Sequence, residues 1–378
     1  MTELFATCAL GTEPALAQEL KALRMHKVRQ ARGGVSFIGD DDAGMLACLH
    51  LRSAMRVLTP LASFEGTTAE ALYEGVRAIP WKEHLSTKHT FAVEATGGSE
   101  SLRHTGFIAL KAKDAIVDAM RESVGARPDV DARNPDVPVV IHVHGNKVDV
   151  SLDLGGKPLH RRGYRPQQVE APLKETLAAA ILILAGYTGE EPFCDPMAGS
   201  GTLVVEAAWM AMRRPPGLGR HFAFERWPGF AGERQSRWHK MQHQARAAMR
   251  TEGLPPILAR ERFAGPMEKL EESLERAQVR PHVTVEKGDV RDLRLPPTGG
   301  ILCTNPPYAE RLGKPLQILG LYRGMGEAAK HWGGWKVHIL AGHKDFERAF
   351  GHHPVRRHAL FNGPIRCQLL SYELPPPA

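Results

Sequence analysis

Near its C-terminal end the chain carries two alternating apolar stretches, residues 356–361 and 365–372, separated only by Asn362, Gly363 and Pro364. Strands this close together can pair only antiparallel, because a parallel crossover needs about a dozen residues or more. From Pro172 to that point, apolar stretches alternate with helical patterns, which specifies βαβ units and a mostly parallel sheet. Strands are expected at 192–195, 256–261, 282–288, 300–304 and 336–341. A parallel sheet closed by an antiparallel hairpin restricts the C-terminal half to one kind of doubly wound α/β domain.

The N-terminal half reads differently. Residues 1–60 give a small α+β unit, with strands near 4–9 and 35–38 and helices at 14–23 and 41–49; Asp40, Asp41 and Asp42 offer an N-cap and an acidic first turn. Residues 67–154 give a second unit, with helices at 69–78 and 106–124, a strand at 90–95, and strands at 139–143 and 147–152 joined by Gly145 and Asn146. A chain of 378 residues exceeds what one core normally serves. Three regions are expected: 1–64, 65–160 and 161–378.

Composition narrows the classes of function. The longest apolar run, 178–185, falls well short of the roughly 20 residues that span a bilayer. The first ten residues show no secretory pattern, so a cytoplasmic protein without a membrane partner is expected. The cysteines, Cys8, Cys48, Cys194, Cys303 and Cys367, are odd in number and never in CxxC pairs, so reduced thiols and no metal are expected. A net charge of +7 suits a polyanionic partner. Residues 1–165 nonetheless carry 21 Lys and Arg against 20 Asp and Glu, so the excess lies in the C-terminal half.

The chemistry is concentrated at strand ends of that half. Asp195, Pro196, Met197, Ala198, Gly199, Ser200, Gly201 and Thr202 join an apolar strand to a helix, a turn whose glycines admit a ligand close to the backbone. The third glycine of the dinucleotide fingerprint is missing, with Val204 and Val205 in its neighbourhood. Glu261 ends the second strand, where an acidic residue can accept from ribose hydroxyls, but it lies 60 residues beyond Gly201 rather than about 20. Asp289 ends the third strand, either facing a ligand or capping the next segment. The fourth strand ends in Asn305, Pro306, Pro307 and Tyr308. The prolines stiffen the backbone, so that the Asn305 side chain and the Pro306 carbonyl present two acceptors to an exocyclic amine, and Tyr308 offers a stacking face to an extruded base. Cys303 lies inside that strand without activating neighbours and is read as structural.

The turn at 195–202, followed by residues 305–308 and 310–313, resembles the class I methyltransferases that make N2-methylguanine in RNA. Upstream, residues 107–114, 134–136, 151–154 and 159–164 resemble the THUMP region of the bacterial 23S rRNA guanine-N2 methyltransferases, and residues 171–175, 216–218 and 222–227 are similar to that family as well. The resemblance implies an N-terminal ferredoxin-like subdomain, a THUMP domain and a Rossmann-like methyltransferase domain, in a stand-alone form without a second methyltransferase domain. It implies S-adenosyl-L-methionine as cofactor, with Gly199 and Gly201 along its methionine part, Glu261 on the ribose and Asp289 facing the adenine. Asn305, Pro306, Pro307 and Tyr308 would hold the target base. The implied partner is structured RNA, rRNA before tRNA, contacted by Lys111, Lys113, Arg161, Arg162, Arg165 and Arg311, and the chain is expected to act as a monomer. Family members usually carry Asp where this chain has Glu261, a second acidic residue where it has Phe263, and cysteine where it has Ala198. The competing readings are a tRNA guanine-N2 enzyme, a DNA adenine-N6 methyltransferase, and a non-catalytic RNA-binding protein.

Overall fold

The computed structural model describes residues 1–166, 173–308 and 315–375. Eight strands form an N-terminal sheet: β1 (Thr2–Thr7), β2 (His26–Ala31), β3 (Gly34–Gly39), β4 (Arg56–Glu65), β5 (Thr90–Gly98), β6 (Asp129–Val130), β7 (Val137–His144) and β8 (Lys147–Asp153). Their order is β2-β3-β1-β4-β8-β7-β5-β6. The two units expected from sequence therefore share one sheet, because β4 pairs antiparallel with β1 on one side and with β8 on the other. Nothing in the local pattern marks β4 as a strand. It contains Pro60, which cannot donate to a ladder, and its pairing with β8 shifts register between Pro60 and Ala62.

Helices α1 (Glu13–Ala22), α2 (Asp41–His50), α3 (Ala69–Arg77) and α4 (Thr105–Val124) cover this sheet. Asp40 caps α2 by accepting from the Ala43 N–H at 3.0 Å. The exposed edge strand β2 had no buried face to announce it.

The C-terminal sheet has seven strands: β9 (Phe193–Asp195), β10 (Ile257–Glu261), β11 (Thr284–Lys287), β12 (Gly300–Thr304), β13 (Trp335–Ala341), β14 (Arg356–Asn362) and β15 (Ile365–Glu373). Their order is β11-β10-β9-β12-β13-β15-β14, parallel from β11 to β13, with β15 antiparallel to both β13 and β14. This is the Rossmann-like arrangement expected for the domain. The order places β9 in the middle of the parallel strands, with β10 and β12 on either side, so their carboxyl ends lie together. Helices α5 (Glu175–Leu184), α6 (Thr202–Ala211), α7 (Glu233–Ala247), α8 (Ala264–Arg276), α9 (Pro315–Ala329) and α10 (Phe346–Phe350) connect the strands. Among the described residues no helix is long and apolar enough to cross a membrane.

The long interval between Gly201 and Glu261 is not an idle loop. It contains α7, and its aromatic residues Phe222, Phe224, Phe230 and Trp238 join Leu49, Leu154 and Leu159 in a single apolar cluster with the N-terminal unit. Phe222 and Phe224 stack at 5.5 Å, and Trp238 meets Phe224 edge-on at 5.1 Å. Arg226 Nε donates to Asp136 at 2.7 Å, and the Trp227 indole donates to the Asp136 carbonyl at 3.1 Å. The insertion thus bolts the C-terminal half onto both parts of the N-terminal sheet.

Candidate active site

The glycine turn follows β9 directly. Asp195 is buried and accepts from the Met197 N–H at 3.1 Å and from the Thr304 hydroxyl at 2.8 Å. The second bond ties the end of β9 to the end of β12, which register-pairs Phe193 with Ile301 and Cys194 with Leu302. Burial pushes the Asp195 carboxyl up to about 7, with the Thr304 and Met197 bonds opposing that rise.

The two glycines of the turn differ in what surrounds them. Both hold positive φ, +55° at Gly199 and +85° at Gly201. A Cβ on Gly199 would meet nothing within 4 Å, so the backbone there faces open space. A Cβ on Gly201 would lie 2.6 Å from Leu270 Cδ1, so that glycine lets α8 pack against the start of α6. Ser200 lies between them, and Pro196 and Met197 form the approach from β9.

Glu261, at the end of β10, is buried and reaches this turn. One carboxylate oxygen accepts from the Gly199 N–H at 2.9 Å, and the other accepts from the N–H groups of Arg262 and Phe263, each at 2.9 Å. It is therefore not a surface carboxylate paired with Arg260 or Arg262. Three donors leave acceptor capacity on its two oxygens. Asp289 caps the segment after β11 by accepting from the Arg291 N–H at 3.0 Å. It also pairs with the guanidinium groups of Arg291 at 2.7 Å and Arg262 at 2.9 Å. Its hydrogen bonds to Arg291 come first in holding the carboxyl down at about 2. The exposed ring of Phe263 lies beside the Arg262 guanidinium, 5.4 Å from its centroid. An exposed apolar ring at a strand end was visible in the sequence as a departure from the family pattern, but not as a feature of the site.

After β12, Asn305 is half-buried, and Pro306, Pro307 and Tyr308 follow. Tyr308 does not present the stacking face expected of it. Only 4% exposed, it packs where Gly342 leaves room, and its hydroxyl donates to Asn305 Oδ1 at 2.6 Å. Tyr322, which the sequence reading did not single out, donates to the Pro307 carbonyl at 2.7 Å. Burial pushes the Cys303 thiol well above its ordinary value, which keeps it unreactive.

Residues 162–371 match the family described as the RMKL-like methyltransferase domain. The chain belongs to this methyltransferase family. Upstream, residues 66–153 match the THUMP domain and residues 3–58 the RlmL ferredoxin-like domain. The chain is 38% identical to "Ribosomal RNA large subunit methyltransferase K/L" of Syntrophotalea carbinolica over 98% of its own length, and it spans 53% of that relative. It therefore covers about half the length of this curated relative. The Synechocystis protein slr0064 is 36% identical, with 98% of this chain and 96% of that protein covered. The crystal structure of SMU.472 complexed with SAH superposes with a TM-score of 0.88 at 29% identity, covering 99% of this chain and 98% of that one.

The cations expected to meet RNA fall into separate groups. Arg161 is exposed. Lys111 and Lys113 line a cleft on α4 together with Arg121, Arg127, Asp114 and Asp118. Lys111 sits 4.8 Å from the Tyr73 ring centroid, and Lys113 pairs with Asp114 at 2.8 Å. Arg162 must be corrected. Its side chain is 1% exposed, and its guanidinium is turned inward onto Glu206 and the carbonyls of Leu159 and Arg52, where no phosphate reaches it. Arg165 is likewise engaged inside the methyltransferase domain, donating to the Leu173 carbonyl at 2.6 Å. Arg311 lies outside the described residues, as do 171–172 and 310–313 of the stretches that carried the resemblance.

Proposed function

We propose that this chain methylates the exocyclic N2 of a guanine in structured RNA, with 23S rRNA as substrate and S-adenosyl-L-methionine as methyl donor. The observation that carries this reading is the Thr304–Asp195 hydrogen bond. It brings the acceptors after β12 against the glycine turn after β9, so that an amine and a cofactor would lie side by side.

The turn fits the cofactor on its own geometry. Open space over Gly199 admits a ligand to the backbone, and Glu261 retains acceptor capacity for ribose hydroxyls. Phe263 supplies an exposed apolar face at the neighbouring strand end. Gly199, Glu261 and Phe263 would hold the group, and Asp195 braces the turn. When bound, S-adenosylmethionine supplies a methyl group already activated by its sulfonium.

The protein's own task is alignment and charge placement. Asn305 Oδ1 and the Pro306 carbonyl accept hydrogen bonds from the two amine N–H groups, which returns electron density to a nitrogen otherwise delocalised into the guanine ring. Asn305 Oδ1 has two lone pairs, so the Tyr308 hydroxyl can hold one while the amine takes the other. The names of the relatives support RNA, and rRNA in particular, as substrate. The N-terminal sheet would serve as the docking region, with boundaries near residues 64 and 160, and the enzyme would work in the cytoplasm as a monomer. Nucleoside analysis of 23S rRNA and tRNA from a deletion strain tests the substrate. Loss of one N2-methylguanosine from 23S rRNA is expected, and loss from tRNA alone would redirect the reading.

A further inference from the structure

Within the segment 159–166, Arg162 and Arg165 are turned inward rather than toward a phosphate, and their contacts point to another role. Arg52, just after α2 in the N-terminal unit, donates to the carbonyls of Arg214 at 2.7 Å and Trp209 at 3.3 Å, capping the C-terminal end of α6. Arg162 Nε lies 3.5 Å from Glu206 Oε1 midway along α6, and the Tyr164 hydroxyl donates to the same oxygen at 3.1 Å. Arg165 lies 3.3 Å from Glu175 and donates to the Thr202 hydroxyl at 3.4 Å, at the first residue of α6. Three arginines from outside thus grip α6 at its end, middle and start.

The grip continues into the N-terminal unit. Arg162 donates to the Arg52 carbonyl, and Glu19 of α1 accepts the N–H groups of Arg52 at 2.6 Å and Ser53 at 3.0 Å. The three cations are matched by Glu19, Glu175 and Glu206. Buried ion sets of this kind contribute little net stability relative to apolar side chains of the same volume, and their best-attested use is to fix register. Most of the remaining buried surface of α6 is aliphatic, with Leu203, Val204, Val205, Ala207 and Ala208, and such a surface tolerates sliding better than a directional polar contact does; the Trp209 indole adds a separate hold toward α8 by donating to the Ala277 carbonyl at 3.0 Å.

We propose that Arg52, Arg162 and Arg165 are positioning residues that hold α6, and with it the glycine turn at its start, in register with the N-terminal unit, so that cofactor affinity depends on a residue outside the methyltransferase domain. This rests on the reading that the turn binds S-adenosylmethionine. A ten-residue helix is about 15 Å long, so Arg52 lies a helix length from the turn and touches nothing bound there.

The test uses the full chain, with S-adenosylhomocysteine as probe. Arg52→Met keeps an unbranched apolar stem and removes both carbonyl bonds. Calorimetry is expected to show affinity weakened by about 5- to 20-fold. Deuterium exchange at the amides of 199–203 should accelerate. Affinity within twofold of wild type with unchanged exchange at the turn would overturn the inference, whatever happens to thermal stability. If Arg52→Met does not fold, Glu19→Gln, which loosens the hold on Arg52 without removing it, is judged by the same two readouts. A wild-type chain that binds no S-adenosylhomocysteine would remove the cofactor reading itself, and this inference with it.

Discussion

The Tyr308 hydroxyl donates to Asn305 Oδ1 at 2.6 Å, so the residue expected to stack on a base instead fixes the orientation of the carboxamide proposed to accept its amine. An asparagine side chain is otherwise free to present either its oxygen or its NH2, and only the oxygen serves here. Tyr308→Phe keeps the packing against Gly342 and removes this bond. A fall in kcat of up to about tenfold with little change in cofactor affinity is expected, the worth of one orienting hydrogen bond. Single-turnover rates check it; an unchanged rate would return Tyr308 to a packing role.

Glu261 tethers Gly199 and is proposed also to meet the ribose. Glu261→Ala leaves the Gly199 N–H without its partner and is expected to weaken S-adenosylhomocysteine binding by about 1–3 kcal/mol. Calorimetry measures it directly, and wild-type affinity in the variant would show that neither task matters for binding.

Asp195 makes stability depend on pH in an identifiable direction. Its folded carboxyl is raised to about 7, above the unfolded value near 3.9. Between those limits the folded chain holds a proton that the unfolded chain has lost, so this group's contribution to stability declines as pH rises from about 4 to 7. The slope is on the order of 1 kcal/mol per pH unit. Asp195→Asn should flatten that part of the stability profile in denaturant titrations at successive pH values; an identical profile would contradict the assignment.

The C-terminal hairpin was legible because Gly363, at φ +63°, sits between two alternating stretches too close for any other pairing. Glu261 was legible only in part. Its place at a strand end follows from pattern, but its bond to Gly199 depends on two strands brought side by side across an insertion. Helix α7 went unread because only Trp238 and Ala245 in it are buried, against a partner surface nearly 200 residues earlier in the chain. Arg162 and Arg165 were misread for a related reason. A run of cations declares its charge, but whether it faces water depends on where Glu206 and Glu175 fall, and spacing along the chain does not encode that.

Arg161 remains exposed while its neighbour Arg162 is buried, so the two should separate in RNA binding. Arg161→Ala is expected to reduce the slope of log affinity against log salt by about 0.7 to 0.9 if it meets one phosphate. Filter binding at several salt concentrations reads this; an unaltered slope would leave the α4 cleft with Lys111 and Lys113 as the contact surface.

Asn305 is expected to accept a hydrogen bond from the exocyclic amine of a guanine base. Purified chain, S-adenosylmethionine and 23S rRNA from a deletion strain should yield N2-methylguanosine on nuclease digestion and mass spectrometry. Asn305→Ala, still binding S-adenosylhomocysteine, should form it about 10² to 10³ times more slowly. Appearance of N6-methyladenosine instead, or an Asn305→Ala rate equal to that of wild type, would contradict the account.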